Sequence, residues 1–246
     1  MILRMHGRVW LRLIPMTCLG LAACAPVRPT GPPAADLAFL PDNFERGRVF
    51  RVYLPGGRSI PASNWTANFD FSGIAWNDPR TATAISRRHV VMAGHFARSP
   101  ATPLHFHARD GTAHTRRLVG ITHLKDLGDI AVGTLDEPLP PEIARYPLAA
   151  PGDATYKRPV LVTDQTRTIS IHRIGPVGRR RVQLGYDPEI DRRYWRNLVA
   201  GDSGNPAFII KNGRLHLLTT FTNGGPGRGP FYGHPEIRAA LAPFLD

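Results

Sequence analysis

The hexapeptide GDSGNP, at residues 201–206, decides how the chain is interpreted. It places a serine between two glycines, directly after an acidic residue. Glycine lets the backbone turn sharply and lets a substrate carbonyl come close to the chain. The N–H groups of Gly201 and Ser203 can then point at one position and stabilise an oxyanion that forms there. We therefore interpret Ser203 as a candidate nucleophile on a tight turn.

A serine hydroxyl is a weak nucleophile alone, so the sequence must also supply a base and an acid that orients the base. His95 ends the apolar run VVMAGHF, and Asp129 begins the run GDIAV. Taken singly, each residue also has an ordinary interpretation: a capping or core histidine, the start of a strand, and a turn serine. The joint arrangement, in the order His95, Asp129, Ser203, predicts a catalytic triad.

The three segments together resemble the chymotrypsin-like (trypsin-fold) serine proteases. GDSGNP resembles the GDSGGP box of that family, ISRRHVVMAGHF resembles its strand and TAAH segment, and GDIAVGTLDEP resembles its DIAL segment. The resemblance covers roughly residues 44 to 233, and the order of the three residues is the order of that family. It implies an all-β fold of two packed six-stranded antiparallel Greek-key barrels with a short C-terminal helix. It also implies a serine endopeptidase that works through an acyl-enzyme.

The resemblance further assigns the residues that bind substrate. The residue six before the nucleophile lies at the base of the side-chain pocket in that family, and here it is the neutral Asn197. Selection of Arg or Lys by charge pairing is therefore not expected. Thr222, Asn223 and Gly224 match the strand that pairs with substrate, with Asn223 in place of a tryptophan. Phe221 stands where Glu-specific members carry a histidine, which argues against that specificity.

Asp202 raises the question of activation. In zymogen-type members of the family, a new amino terminus created by cleavage pairs with this aspartate. A buried carboxylate without a partner is costly. We therefore expect Asp202 to pair with an internal arginine or with polar side chains, and we expect the protein to be active without zymogen cleavage.

The first 23 residues have the pattern of a signal peptide. Three arginines lie among the first twelve residues, and the apolar stretch that follows is too short to span a membrane. The segment LAAC, which ends at Cys24, resembles the lipobox of bacterial lipoproteins. This implies cleavage before Cys24, lipidation of its thiol, and attachment to a membrane facing the periplasm or the exterior. The alternative is a plain secretory signal and a soluble secreted protein.

The rest of the chain divides by composition. Residues 24–41 are rich in Pro and Ala and predict an extended tether. The protease-like domain follows at 42–246. Its first barrel is expected at about 42–140 and its second at about 150–233. A terminal helix is expected at about 235–245, with a proline near its start.

Cysteine content and charge limit the possible functions. The only cysteines, Cys18 and Cys24, precede the domain, so its stability comes from packing without disulfides. The formal charge of +12 falls to +9 when the three arginines of residues 1–23 are removed. The densest basic run is Arg179 to Arg181. A solvated basic face is the ordinary interpretation, and attraction to an anionic envelope partner is the functional one.

Two other functions stay open at this point. The first is a catalytically weak binding protein that keeps the protease fold and holds an acidic envelope partner through its arginine-rich face. The second keeps the triad and acts on an ester or on a specialised envelope peptide. Nucleic acid is not an expected partner, because no nucleic-acid-binding motif accompanies the arginines.

Four histidines invite a metal hypothesis: His105, His107, His114 and His123. Their spacing matches no known zinc pattern, so we expect no metal and no cofactor, and we interpret these side chains as facing solvent. We expect a monomer. Its expected partners are a protein or peptide substrate and, through lipidated Cys24, a membrane.

Alternating and β-branched stretches predict most of the strands, and Asn212-Gly213 predicts a hairpin turn. The predicted strands lie at about 69–76, 81–92, 104–108, 116–122, 130–135, 159–163, 168–174, 181–184, 207–210 and 215–222.

Overall fold

Antiparallel β-structure dominates the protein. The computed structural model describes residues 47–77, 79–190 and 192–246, and the described residues form fifteen strands and one short α-helix, α1 (Pro235–Leu241). The strands are β1 (Gly47–Arg48), β2 (Phe50–Val52), β3 (Ile60–Pro61), β4 (Ile74–Trp76), β5 (Thr81–Ala84), β6 (His89–Ala93), β7 (Pro103–His107), β8 (Ala113–His123), β9 (Ile130–Leu135), β10 (Pro159–Thr163), β11 (Thr168–Val177), β12 (Arg181–Gly185), β13 (Pro206–Lys211), β14 (Arg214–Thr220) and β15 (Arg228–Pro230).

The predicted signal peptide (1–23), the tether (24–41) and Cys24 lie outside the described residues. Among the residues that the structure does describe, no helix is long and apolar enough to cross a membrane.

The first large sheet has six antiparallel strands in the order β4-β5-β6-β9-β8-β7. Its two end strands lie side by side, and the Asn77 side chain joins them. Asn77 Oδ1 accepts from the His105 N–H at 3.1 Å, and Asn77 Nδ2 donates to the Pro103 carbonyl. The interior is filled by side chains such as Met92, Phe106 and others from facing strands. Along β6, Val90 and Met92 face this interior while Val91 belongs to the main core, so alternate residues of one buried strand fill two different apolar clusters.

The second large sheet has the strand order β14-β13-β10-β11-β12-β15. Its interior contains Val160, Val182, Leu218 and other apolar side chains. Asn212 and Gly213 connect β13 to β14 with φ values of 50° and 71°, as the predicted hairpin turn requires. The two sheets, one nearly closed barrel and one half-barrel, form the expected trypsin-like double barrel.

Aromatic side chains pack the two sheets together. Tyr146, from the connection between the sheets, lies with its ring 4.6 Å from that of Phe208 on β13. Trp76, at the end of β4, donates its indole N–H to Asn205 Oδ1 at 3.3 Å. This contact crosses directly from the first sheet to the turn that carries the candidate nucleophile.

Several strand boundaries differ from the predicted ones: the strand predicted at 69–76 is limited to β4, and two further differences have a clear physical reason. β1 pairs with β11 in the second sheet, through Gly47 opposite Ile169, although the first barrel was expected from about residue 42. This pairing satisfies an edge of β11 that would otherwise be open. The predicted strand at 81–92 is two strands, because Ser86 Oγ accepts from the N–H groups of Arg88 and His89 and fixes a turn between β5 and β6.

The terminal helix is confirmed. α1 begins at Pro235, where a missing N–H costs nothing, and a 3₁₀ turn (Ala242–Phe244) follows it. Ile237 and Leu241 are fully buried and attach the helix to the main core.

Candidate active site

Strand register brings His95 and Asp129 together. β6 and β9 are antiparallel neighbours, with Ala93 opposite Ile130, so the residues after β6 meet the residues before β9. His95 lies on the 3₁₀ turn Gly94–Phe96, which directly follows β6. Gly94 N–H donates to the Asp129 carbonyl at 3.2 Å and continues the ladder by one step. The two sequence-predicted residues thus meet without any dedicated loop.

The Asp129 carboxylate holds both the backbone and the ring of His95. Asp129 Oδ1 accepts from the His95 N–H at 2.7 Å, and Asp129 Oδ2 contacts His95 Nδ1. A carboxylate at Nδ1 favours the tautomer that carries its proton there. His95 Nε2 is then an acceptor, and it lies 3.1 Å from Ser203 Oγ. This is the geometry of a general base beside a hydroxyl nucleophile.

Glycine conformation shapes the turn that carries Ser203. Gly201 and Gly204 have φ values of +97° and +87°, a region that side-chain-bearing residues rarely adopt. A Cβ at Gly201 would lie 2.6 Å from Gln165 Oε1, so a side chain there would displace the Gln165 amide. Gly204 N–H donates to the Phe221 carbonyl at 2.8 Å and fixes the far side of the turn.

The backbone N–H groups of Gly201 and Ser203 are the candidate donors of an oxyanion hole. Asp202 N–H donates to the Val199 carbonyl at 3.0 Å, which uses the donor between Gly201 and Ser203. Within the described part of the chain, the N–H groups of Gly201 and Ser203 themselves donate to no acceptor. These are the two donors that the sequence predicted for an oxyanion hole, and they are available to a substrate oxygen.

Asp202 is buried behind the serine, and the expectation that an internal arginine faces it is confirmed. Its side chain is 1% exposed. Asp202 Oδ1 accepts from the Gln165 N–H at 3.0 Å, and Oδ2 accepts from the Val199 N–H at 2.8 Å. Arg196 Nη2 lies 3.5 Å from Asp202 Oδ2. The carboxylate therefore links the segment that precedes Ser203, through Val199 and Arg196, to Gln165 in a distant part of the chain.

Arg196 also pairs with a second buried carboxylate. Its Nη1 contacts Asp164 Oδ2, and the Asp164 side chain is 1% exposed. Asp164 Oδ1 accepts from the Thr166 N–H at 2.7 Å and from the Thr166 hydroxyl at 2.6 Å. Between these residues, Gln165 Nε2 donates to the Ala200 carbonyl at 3.0 Å. We call Asp164, Gln165, Arg196 and Asp202 the serine-loop support.

Few local sequence patterns indicate this support. The spacing Asp164-x-Thr166 is typical of a turn in which an aspartate side chain accepts from the backbone N–H two residues later, so it was a usable local signal. Arg196 had none, because it lies 32 residues from Asp164 and is one of many arginines.

Asn205 joins the serine turn to both barrels. It is fully buried, and its Oδ1 accepts from the Trp76 indole and, at 3.4 Å, from the Thr163 hydroxyl. Its Nδ2 donates to the Asp202 carbonyl at 3.2 Å. Asn205 stands where the GDSGGP box has its second glycine. Because each polar atom of the Asn205 side chain has a partner, this replacement contributes contacts to the fold.

The predicted pocket residues are placed less simply. Asn197 is exposed and lines a cleft of about 540 Å³ with Trp195 and Pro226, and no triad residue lines this cleft. The assignment of Asn197 to the substrate pocket therefore stays a prediction. Leu198, the next residue, exchanges two backbone hydrogen bonds with Gly225, at 2.8 and 3.0 Å.

The predicted substrate strand lies beside β15. The N–H groups of Thr222 and Asn223 both donate to the Arg228 carbonyl, at 3.0 and 3.3 Å. The Thr222 hydroxyl donates to Asn223 Oδ1 at 3.2 Å. A Cβ at Gly224 would lie 3.2 Å from the Leu198 carbonyl, so this position fits closely against the segment that precedes the serine.

The interpretation of the four histidines as solvent-facing is wrong for His107. It is 3% exposed, and its Nε2 lies 3.2 and 3.1 Å from the carbonyls of Leu54 and Gly57. Burial lowers the pKa of His107, and Nε2 donates to these carbonyls, which accept only. His114 lies 3.2 Å from Glu142. In the described ranges, no group of three His, Cys, Asp or Glu side chains is arranged to hold a metal ion.

Comparison with known proteins adds no relative. The chain matches no protein-family model, and it matches no curated protein.

Proposed function

We propose that the protein is a serine endopeptidase that hydrolyses peptide bonds through His95, Asp129 and Ser203. One observation carries the proposal: the His95 ring contacts Asp129 at one nitrogen and lies 3.1 Å from Ser203 Oγ at the other. The free N–H groups of Gly201 and Ser203 lie on the same turn and support it further. No cofactor is needed for this chemistry.

In the proposed reaction, Ser203 Oγ forms a bond to the substrate carbonyl carbon as His95 Nε2 takes the hydroxyl proton. The carbonyl oxygen becomes an oxyanion that accepts from the N–H groups of Gly201 and Ser203. His95 returns the proton to the leaving amine as the C–N bond breaks. Water then cleaves the acyl-enzyme by the same steps in reverse. Asp129 stabilises the imidazolium in both halves.

The proposal includes activity without zymogen cleavage. Arg196 already supplies a cation to Asp202, and Gln165 and Val199 already donate to both of its oxygens. A new amino terminus therefore has no vacant carboxylate to fill. Loss of activity in a protein that carries an uncleavable segment before residue 47 would contradict this part of the proposal.

A serine-reactive phosphonate and the Ser203→Ala variant test the mechanism. We expect the reagent to label the wild-type protein at Ser203 alone, and we expect peptide hydrolysis to fall by about 10⁶-fold in the variant. The exposed Ser99→Ala is the matched control and should behave as wild type. Unchanged hydrolysis in Ser203→Ala would exclude the mechanism. Absence of both labelling and hydrolysis in a folded wild-type protein would favour the binding-protein alternative.

We also propose that the enzyme is anchored to a bacterial membrane through a lipid on Cys24, as the LAAC segment indicates. The Cys24→Ser variant should leave the membrane fraction and lose fatty-acid labelling. If the wild-type protein is already soluble and unlabelled, the plain secretory alternative is correct.

A further inference from the structure

A basic cleft lies next to the triad. It has a volume of about 530 Å³ and runs between the turn that precedes Asp129 and the turn that joins β11 to β12. Five cationic side chains line it, against a single carboxylate, that of Asp126. The cations are Lys125, Arg179, Arg180, Arg181 and Arg228. We call this site the basic cleft.

One of the five cations is used by the fold. Arg180 Nη1 donates to the Asp126 carbonyl at 2.7 Å and lies 3.4 Å from Glu236 Oε2. In the described part of the chain, the other four side chains pair with no carboxylate. Cations held around one concavity repel each other, and they attract anions into it. The positive charge of these four side chains therefore favours binding of an acidic ligand in the cleft.

The basic cleft begins at the catalytic residues. Lys125 and Gly128 line it, and the same two residues line a smaller cleft that contains His95 and Asp129. Arg228 also lines the basic cleft, and its carbonyl accepts from the N–H groups of Thr222 and Asn223 in the predicted substrate strand. A peptide bound along that strand would therefore lie next to a residue of the cleft.

We propose that the basic cleft selects peptide substrates that carry Glu or Asp within a few residues of the scissile bond; this inference rests on the proposed protease function. The carboxylates would pair with Arg179, Arg181 and Lys125, whose side chains are exposed. A peptide is favoured over a membrane surface because the cleft is concave and shares Lys125 and Gly128 with the smaller cleft that contains His95 and Asp129.

A second basic cleft provides the matched control. It has a volume of about 620 Å³ and is lined by Arg48, Arg51, Arg167 and Arg193 among others, and it shares no lining residue with the cleft that contains His95 and Asp129. Arg48 and Arg51 are exposed, as Arg179 and Arg181 are. Removing two charges at either site changes the net charge equally, so only a local effect distinguishes the two double variants.

The test uses one peptide sequence cleaved in a Ser203-dependent way, made with two glutamates or with two glutamines beside the scissile bond. We expect kcat/KM to be about tenfold higher for the Glu peptide, as two exposed ion pairs allow. Arg179→Gln/Arg181→Gln should bring the ratio close to one, and Arg48→Gln/Arg51→Gln should keep it. Raising the ionic strength from about 0.1 to 1 M should also reduce the ratio, because it shortens the Debye length from about 10 to 3 Å.

A binding experiment separates this inference from the proposed function. The Ser203→Ala variant should bind a fluorescent Glu peptide about tenfold more tightly than the Gln peptide, whether or not the wild type hydrolyses either one. Equal binding and equal kcat/KM would overturn the inference while Ser203-dependent cleavage stands. If anionic lipid vesicles bind in a manner that depends on Arg179 and Arg181, and the Glu peptide does not, the cleft is a membrane contact and the inference is wrong.

Discussion

Ser203 lies between two charged assemblies of different character. In front of it, His95 and Asp129 form a pair whose side chains are 48% and 26% exposed. Behind it, Arg196 joins Asp202 and Asp164, whose side chains are both 1% exposed. The front pair is positioned by the register of β6 and β9 alone. The serine-loop support is positioned by side chains that meet across long stretches of sequence.

The difference in exposure between the two assemblies predicts different effects of substitution on reaction rate and on stability. Water near an exposed pair screens its charges, so removing one member costs the fold little. A buried carboxylate that loses its cation keeps its desolvation penalty without the compensating attraction. Substitutions in the front pair should therefore lower the reaction rate with little change in stability, and substitutions behind the serine should lower both.

Among substitutions in the two assemblies, Asp129→Asn should have the largest effect on rate. The side-chain amide nitrogen of an asparagine donates to Nδ1, whereas the carboxylate accepts the Nδ1 proton, so the proton of the His95 ring moves to Nε2 and the ring can no longer take the serine proton. We expect kcat to fall by about 10⁴-fold. We expect the free energy of unfolding to change by less than about 1 kcal/mol. Peptide hydrolysis and urea unfolding measure the two quantities, with the exposed Glu137→Gln as control. If Asp129→Asn destabilised the protein as much as a substitution of Arg196 does, the two assemblies would not differ in their contribution to stability.

Arg196→Met should have the largest effect on stability. It removes the cation shared by Asp164 and Asp202, and we expect a loss of about 3 kcal/mol in the free energy of unfolding. Asp202 keeps its bonds from Gln165 and Val199, so we expect kcat to fall by less than the roughly 10²–10³-fold cost of losing an oxyanion donor.

Arg145→Met is the matched control for that variant. Arg145 Nη1 lies 3.2 Å from Asp246 Oδ2, and the two side chains are 41% and 50% exposed. Its loss should cost at most about 1 kcal/mol. Equal destabilisation by Arg145→Met and Arg196→Met would show that burial does not set the strength of these pairs.

The same contrast explains what the sequence could predict. His95 and Asp129 were predictable because each directly continues an apolar strand, and adjacent strands bring their ends together. The turn at Asn212 and Gly213 was predictable from two residues alone. Arg196 was not, because pairing with Asp164 depends on how distant segments pack. The same holds for β1, whose two residues pair with β11 through an edge that no local pattern reveals.

Asn197 shows what spacing alone leaves open. Its place in the motif predicted the base of a pocket, and the structure places it, exposed, on the wall of a cleft with Trp195 and Pro226. Pro226 comes from a distant part of the chain, so its place on the same wall follows from packing and not from the local sequence.

His172 is a buried, uncharged residue near the serine-loop support. Its substitution should have the smallest effect on stability at neutral pH. His172 on β11 is fully buried; one ring nitrogen, Nδ1, lies 3.0 Å from the Pro226 carbonyl and the other, Nε2, lies 3.2 Å from Ser170 Oγ. Burial lowers the pKa of His172 to about 4, below its ordinary value of 6.5. The unfolded chain therefore binds a proton between these two pH values while the folded protein does not.

Stability should thus be fully present above pH 6.5 and should decline as the pH falls toward 4. Between pH 7.5 and pH 5 the contribution of His172 should be about 2 kcal/mol. His172→Gln keeps an amide donor for the Pro226 carbonyl and cannot titrate, so its free energy of unfolding should change less over this range than that of the wild type. Urea unfolding at both pH values measures the difference, and the exposed His123→Gln should follow the wild-type slope. Identical slopes for wild type and His172→Gln would mean that the folded protein protonates this ring freely, which its burial beneath Trp195 argues against.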